Sequence, residues 1–153
     1  MKKGLRSVAM FSLCALALAS CSKKVSFADF QTAVGKIKDN TVSYTSVKFS
    51  GKYSASGATL DFNDIKFTYK DNKLTMSDEA SNKIVLSAAA LVLVAITPAT
   101  YAVAEDTSLT YYAGDGFKVE KTENTKVYTT WNESGLITAL SDGSNTIKAS
   151  WSK

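Results

Sequence analysis

Ile84 to Ala104 reads IVLSAAALVLVAITPATYAVA, twenty-one residues without a formal charge between Lys83 and Glu105. By length it could span a bilayer, which takes about 20 apolar residues in a helix. Crossing there would put the strand-like segments before and after it on opposite sides of the membrane. Each half-sheet would then lack a partner to bury its apolar face. A buried helix in a soluble domain avoids this. Ala88-Ala89-Ala90 and Leu91 to Ile96 favour helix, with Ser77 or Ser81 as its cap. Pro98 ends or kinks it, because proline removes a donor and disfavours helix in the residue before it. A helix apolar all round must be covered on more than one side, and a curved sheet wrapped round it would do that.

Outward from this stretch the period is two. Upstream, Val42 and Tyr44 alternate with polar residues, then Val47, Phe49, Gly51 and Tyr53 do so in the opposite phase, so a bulge is expected at Thr45-Ser46. Ser54 to Gly57 is a turn. Leu60 and Phe62 begin a second run that Ile65, Phe67 and Tyr69 continue, with a bulge or tight turn at Asn63-Asp64. Lys70 to Lys73 is a hairpin loop before Leu74 and Met76. Downstream, strands are expected at Leu109–Tyr112, Phe117–Val119, Val127–Trp131, Leu136–Leu140 and Ile147–Trp151. Gly114-Asp115-Gly116, Asn132 to Gly135 and Asp142-Gly143 are the turns. A first helix starts at Ser26, with Asp29 near its positive end and Phe27, Phe30, Ala33, Val34 and Ile37 on one face; Asp39-Asn40 end it. The expected fold is α+β: a curved antiparallel sheet packed on an N-terminal helix and a central apolar helix.

The first twenty residues are different. Lys2, Lys3 and Arg6 precede an apolar run from Val8 to Leu18, then small residues follow, the order of a secretory signal. Leu18-Ala19-Ser20-Cys21 resembles the lipobox of bacterial lipoproteins. The resemblance implies that the Cys21 thiol receives a diacylglycerol and that the bond before it is cut. Cys21 would then be the first mature residue, anchored by its acyl chains on the extracytoplasmic side of a cell-envelope membrane. An ordinary signal peptide cut near Ala19 is one alternative. An uncleaved anchor is another, although a run of eleven residues is short for a span. The domain organisation expected is residues 1–20 as signal, 21–25 as lipidated tether and 26–153 as one α+β domain. Lys23 and Lys24 beside the acyl chains could touch anionic headgroups, or simply solvate the tether.

Composition then excludes much. The signal holds three of the eighteen basic residues and no acid, leaving fifteen bases against fourteen acids. That balance gives no reason to expect nucleic acid. Cys14 leaves with the signal and Cys21 carries lipid, so the expected mature domain has neither thiol nor disulfide. There is no histidine, which removes a His/Cys zinc site, a Cys–His pair and a Ser–His–Asp triad. Asp61, Asn63 and Asp64 fail as a calcium loop, because Lys66 stands where glycine is needed and the closing glutamate is missing. Gly114-Asp115-Gly116 lacks the further glycine and following helix of a phosphate cradle. Asp78, Glu79, Glu105, Asp106, Glu120 and Glu123 supply carboxylates, and residue types alone leave a two-carboxylate glycosidase open. Solvation on loops and strand edges is their expected fate, so no enzyme and no cofactor are expected. Tyr44, Tyr53, Tyr69, Tyr111, Tyr112, Tyr128 and Trp131 read mainly as sheet packing, a minority as pocket lining.

The layout of helix, strands, apolar helix and strands resembles the half-barrel of LolA-type lipoproteins, in which a curved sheet is closed by helices. It is a likeness of arrangement that carries over no functional residue. Trp131 to Thr138, WNESGLIT, resembles one unit of the tyrosine-aspartate repeats of secreted bacterial proteins and occurs once. It is taken as hairpin chemistry. Two roles are expected: binding of an apolar ligand or lipid within the sheet, or interaction with an envelope protein through a sheet edge or aromatic patch.

Overall fold

The computed structural model describes residues 22–37, 44–55, 58–71, 73–76 and 81–153. In chain order these form β1 (Ser22–Val25), α1 (Phe27–Gly35), β2 (Ser46–Ala55), β3 (Ala58–Lys70), β4 (Lys73–Thr75) and α2 (Ser81–Ala95). A 3₁₀ turn (Pro98–Tyr101) follows, then β5 (Leu109–Gly114), β6 (Phe117–Lys121), β7 (Val127–Trp131), β8 (Ile137–Asp142) and β9 (Thr146–Ser152). The strands form one open sheet in the order β1-β5-β6-β7-β8-β9-β2-β3-β4. All of its pairings are antiparallel. The class is α+β, as the alternation predicts.

Two meanders meet where β9 pairs with β2, from Ser46 opposite Ser152 to Gly51 opposite Ile147. Strands from before and after the apolar stretch thus hydrogen-bond to each other, and Ile84–Ala104 does not cross a membrane between them. No helix among the described residues is long and apolar enough to cross one.

Period-two alternation puts one side of the strands in the core. Val47, Phe49, Phe62, Phe67, Phe117, Val119, Ile147 and Ala149 are all buried. Phe49 packs against Phe62 and Phe67 with ring centroids 5.5 and 5.7 Å apart. Burial of each such side chain is worth about 1.5–3 kcal/mol. The phase slip expected at Thr45-Ser46 is not a bulge: β2 begins at Ser46, and Tyr44 lies outside the strand, edge-on to Trp151 at 6.0 Å. A side chain that packs past the end of the ladder need not keep its phase. Residues 41–43 lie outside the described residues. The bulge falls instead at the other candidate, where Asn63 and Asp64 together oppose Ser50 and Asp64 takes φ 54°.

α1 forms as its spacing predicts. The Ser26 hydroxyl accepts the Asp29 N–H at 3.1 Å, capping the first turn. Phe30 is fully buried, between Tyr111 at 5.0 Å and Phe117 at 6.0 Å. The expected helix end at Asp39-Asn40 lies outside the described residues.

Two expectations are corrected. Ser22–Val25, expected to be a tether, is an edge strand in register with β5, from Ser22 opposite Gly114 to Val25 opposite Tyr111. The helix in the apolar stretch ends ahead of Pro98, as expected: it stops at Ala95, and Pro98 opens the 3₁₀ turn at a position where its missing N–H costs nothing. That helix is, however, not covered all round. Ala90 and Leu93 are buried, but Val85 is 65 % exposed, Leu91 48 % and Val92 65 %. α2 packs at the β3–β4 edge, where β4 is only three residues long. The sheet there is too short to wrap it.

Candidate functional site

The end of the sheet where β1 begins carries an open cleft of about 490 Å³. Three separate segments build it. The last turn of α1 supplies Ala33, Lys36 and Ile37, the β5–β6 turn supplies Gly114, Asp115 and Phe117, and the β7–β8 turn supplies Glu133. Each is fixed by local chemistry. Phe27 and Phe30 hold α1 on Tyr111, at 5.2 and 5.0 Å, and the N–H groups of Lys36 and Ile37 close its last turn on the Ala33 and Val34 carbonyls at 3.1 and 3.2 Å. In the β7–β8 turn the Asn132 carboxamide oxygen accepts the N–H groups of Ser134 and Leu136 at 2.9 and 3.0 Å. Gly135 takes φ 80°, and a methyl there would meet Ile37 and Pro98 at 3.4 and 3.6 Å. Glycine therefore lets the turn, α1 and the 3₁₀ turn close together.

The floor is apolar, formed by Ala33, Ile37 and the buried Phe117. Lys36, Asp115 and Glu133 stand exposed at the rim. This lining suits an apolar body with a polar or charged end. It offers no nucleophile–base pair. Gly114 lines the cleft and is the register partner of Ser22. The cleft therefore opens beside the first residue of β1; Cys21 lies outside the described residues.

The carboxylates scatter. Asp78 and Glu79 lie outside the described residues. Glu105, Asp106 and Glu123 are exposed on loops, and the Asp106 carboxyl accepts the Ser108 hydroxyl and N–H at 2.6 and 2.9 Å, which hold it below the usual carboxylate range. Asp61, Asn63 and Asp64 lie in β3 and its bulge. Glu120 is the exception, buried on the side of the sheet away from the core. It lies 2.9 Å from the Lys118 ammonium and accepts the Tyr112 hydroxyl at 2.9 Å. That ammonium also sits 5.3 and 5.1 Å from the Tyr112 and Tyr128 ring centroids. Burial, then the bond to Glu120, raises the Tyr112 hydroxyl above its ordinary pKa. Lysine and glutamate two apart on a strand share a face, so the pair was visible in the sequence; the tyrosines needed the register.

This cluster is structural, and a substitution checks it. Lys118→Ala leaves a buried carboxylate with one protein donor and is expected to destabilise by about 2 kcal/mol in chemical denaturation. Replacing Glu120 by valine in the same chain should return much of that loss, because two apolar side chains leave no charge to compensate.

The remaining aromatics pack. Tyr69 and Tyr44 flank Trp151 at 5.0 and 6.0 Å, and Trp131 meets Tyr101 at 5.5 Å while its indole N–H donates to the Ile96 carbonyl at 2.9 Å. The sequence did not single out Lys36 or Phe117; the nearest signal was the Gly114-Asp115-Gly116 turn, which presents Phe117. Comparison with protein-family models, curated proteins and solved structures finds no match.

Proposed function

We propose that this chain is a lipid-anchored lipoprotein of the bacterial cell envelope, acylated on Cys21, whose non-catalytic half-barrel domain holds an apolar ligand or lipid chain in the cleft between α1 and the β5–β6 turn. The observation that carries the reading is the position of that cleft. Its apolar floor opens beside Gly114, the partner of Ser22, so the ligand would enter from the same membrane that receives the anchor. Lys36 at the rim suits a ligand with an anionic head. The open antiparallel sheet with two helices supports the likeness of layout to half-barrel lipoproteins.

Organic extraction of the purified protein, followed by mass spectrometry, tests this, because it releases held lipid and leaves covalent acyl chains in place. Lipid in near-equal amount is expected from the wild type. Ile37→Asp, which puts a carboxylate on the apolar floor, should hold about tenfold less. A wild-type domain that yields none would contradict the ligand reading.

The alternative is a module that binds an envelope protein through a sheet edge. β4 pairs only with Thr68–Lys70 of β3, and among the described residues no strand pairs with the rest of β3 on that side. The bulge at Asn63-Asp64 and the exposed Asp61, Asp64 and Lys66 make it a poor template for another strand. Crosslinking in intact cells that recovers one protein partner and no lipid would favour this alternative.

A further inference from the structure

We infer that the outer side of the sheet, from β9 across β2 and β3 to β4, binds an anionic polysaccharide. This site is separate from the cleft and rests on strand register. Lys148 of β9, Lys48 of β2, Lys66 and Lys70 of β3 and Lys73 of β4 are all exposed. Their strand neighbours Ala149, Val47, Phe67, Tyr69 and Leu74 are buried, so the five lysines share the side away from the core. Every other outward position among Lys148–Ser152, Ser46–Ser50, Lys66–Lys70 and Lys73–Thr75 is serine or threonine. Lys48 lies directly opposite Lys66, and Lys70 directly opposite Lys73. Like charges in that position cost stability. Among the described residues, none of the five has a carboxylate at ion-pair distance. Asp61 and Asp64 near the bulge and Asp71 in the β3–β4 turn border the patch but do not pair with it.

Structural needs do not account for this arrangement. Lysine guards open sheet edges, which explains the residues on β3 and β4. β2 and β9 are interior strands, so Lys48 and Lys148 guard no edge. Propensity does not place them either: strands are depleted in lysine, and serine is not among the residues they enrich. The chemistry of the face selects the occupant. Residues 21–153 hold fifteen bases against fourteen acids, so this side concentrates a charge that the chain as a whole does not carry. It offers no aromatic ring on which bases of a single strand would stack. It has none of the Trp, Tyr or Arg anchors that dominate protein interfaces, and no apolar side chain to enter a bilayer. What it offers is ammonium groups on opposed positions about 5 Å apart, spread over about 14 Å from β9 to β4. These meet the repeated carboxylate, sulfate or phosphate groups of a polymer. The hydroxyls between them both donate and accept, as sugar hydroxyls require. A polymer that carries both kinds of group is an anionic polysaccharide.

The test passes the purified full chain, in detergent, over immobilised heparin, polygalacturonate, dextran and single-stranded DNA. Retention by heparin or polygalacturonate, released by salt, and none by neutral dextran is the expected result. Lys48→Gln with Lys148→Gln should weaken that binding about tenfold. Lys121→Gln with Lys126→Gln, exposed positions outside the patch, removes the same charge and should leave binding unchanged. A second measurement needs no variant: in the wild type, saturating heparin should protect Lys48, Lys66 and Lys148 from an amine-reactive reagent and leave Lys121 and Lys126 reactive. Retention by neither anionic glycan, equal retention by dextran, or equal weakening in the two double variants would overturn the proposal. Retention by DNA as strong as by the glycans would make the face a general polyanion surface and overturn it. Protection of the same three lysines by phosphatidylglycerol vesicles without glycan would assign the face to a membrane, with the same consequence.

Discussion

Gly51→Ala is expected to destabilise the fold by about 3 kcal/mol or more, seen as a lowered denaturant midpoint with an unchanged slope. Gly51 takes φ 101°, in the left-handed region that costs a side chain dearly. A methyl built there would overlap the carbonyl oxygen of Thr146 on β9, a backbone atom that cannot swing aside. The position is also structurally central. Gly51 lies opposite Ile147 at the end of the β2–β9 ladder and opposite Phe62 just past the Asn63-Asp64 bulge. Among the described residues that ladder is what joins the two meanders, so the strain falls on the seam that makes them one sheet. A substitution at Gly35, whose added methyl meets nothing within 4 Å, is the comparison; Gly35→Ala should be neutral or mildly stabilising, because alanine favours helix by about 1 kcal/mol over glycine.

Most strands were legible because each carries its own period. Phe117 with Val119, Val127 to Trp131, and Ile147 with Ala149 declare a buried side within a few residues, and Asn132-Glu133-Ser134-Gly135 declares its turn. The helix at Phe27 was legible for the same reason, since Phe30, Ala33, Val34 and Ile37 repeat at helical spacing. The pairing of β9 with β2 was not, because it joins residues about a hundred apart and no local pattern encodes such a contact. Gly51 read as one more inward position of a strand; its strain depends on Thr146, which only that pairing brings near. The exposure of α2 was hidden in another way. A helix apolar on every side does not reveal which side the fold leaves bare, and here the three-residue length of β4 decides it. The short segment Ser22–Val25 gave no strand signal, because its pairing depends on an open edge of β5 and not on its own alternation. The cleft draws on three segments whose members are unremarkable one at a time.

Cys21→Ser is expected to abolish acylation completely and leave the domain folded. Serine lacks the thiol that the lipobox resemblance makes the acceptor, and the other cysteine, Cys14, lies inside the expected signal and not at the lipobox position. The fold should tolerate the change because its core residues all lie downstream of it: the first fully buried large side chain is Phe30. Fractionation alone is an ambiguous readout, since an uncut precursor would stay with the membrane through residues 8–18. Covalent incorporation of a fatty-acid analogue, compared between wild type and Cys21→Ser in the same cells, is direct. The account predicts labelled wild type and unlabelled Cys21→Ser, both with the same β-rich circular dichroism. Wild-type protein that takes up no label, or a Cys21→Ser variant that takes up as much, would contradict it.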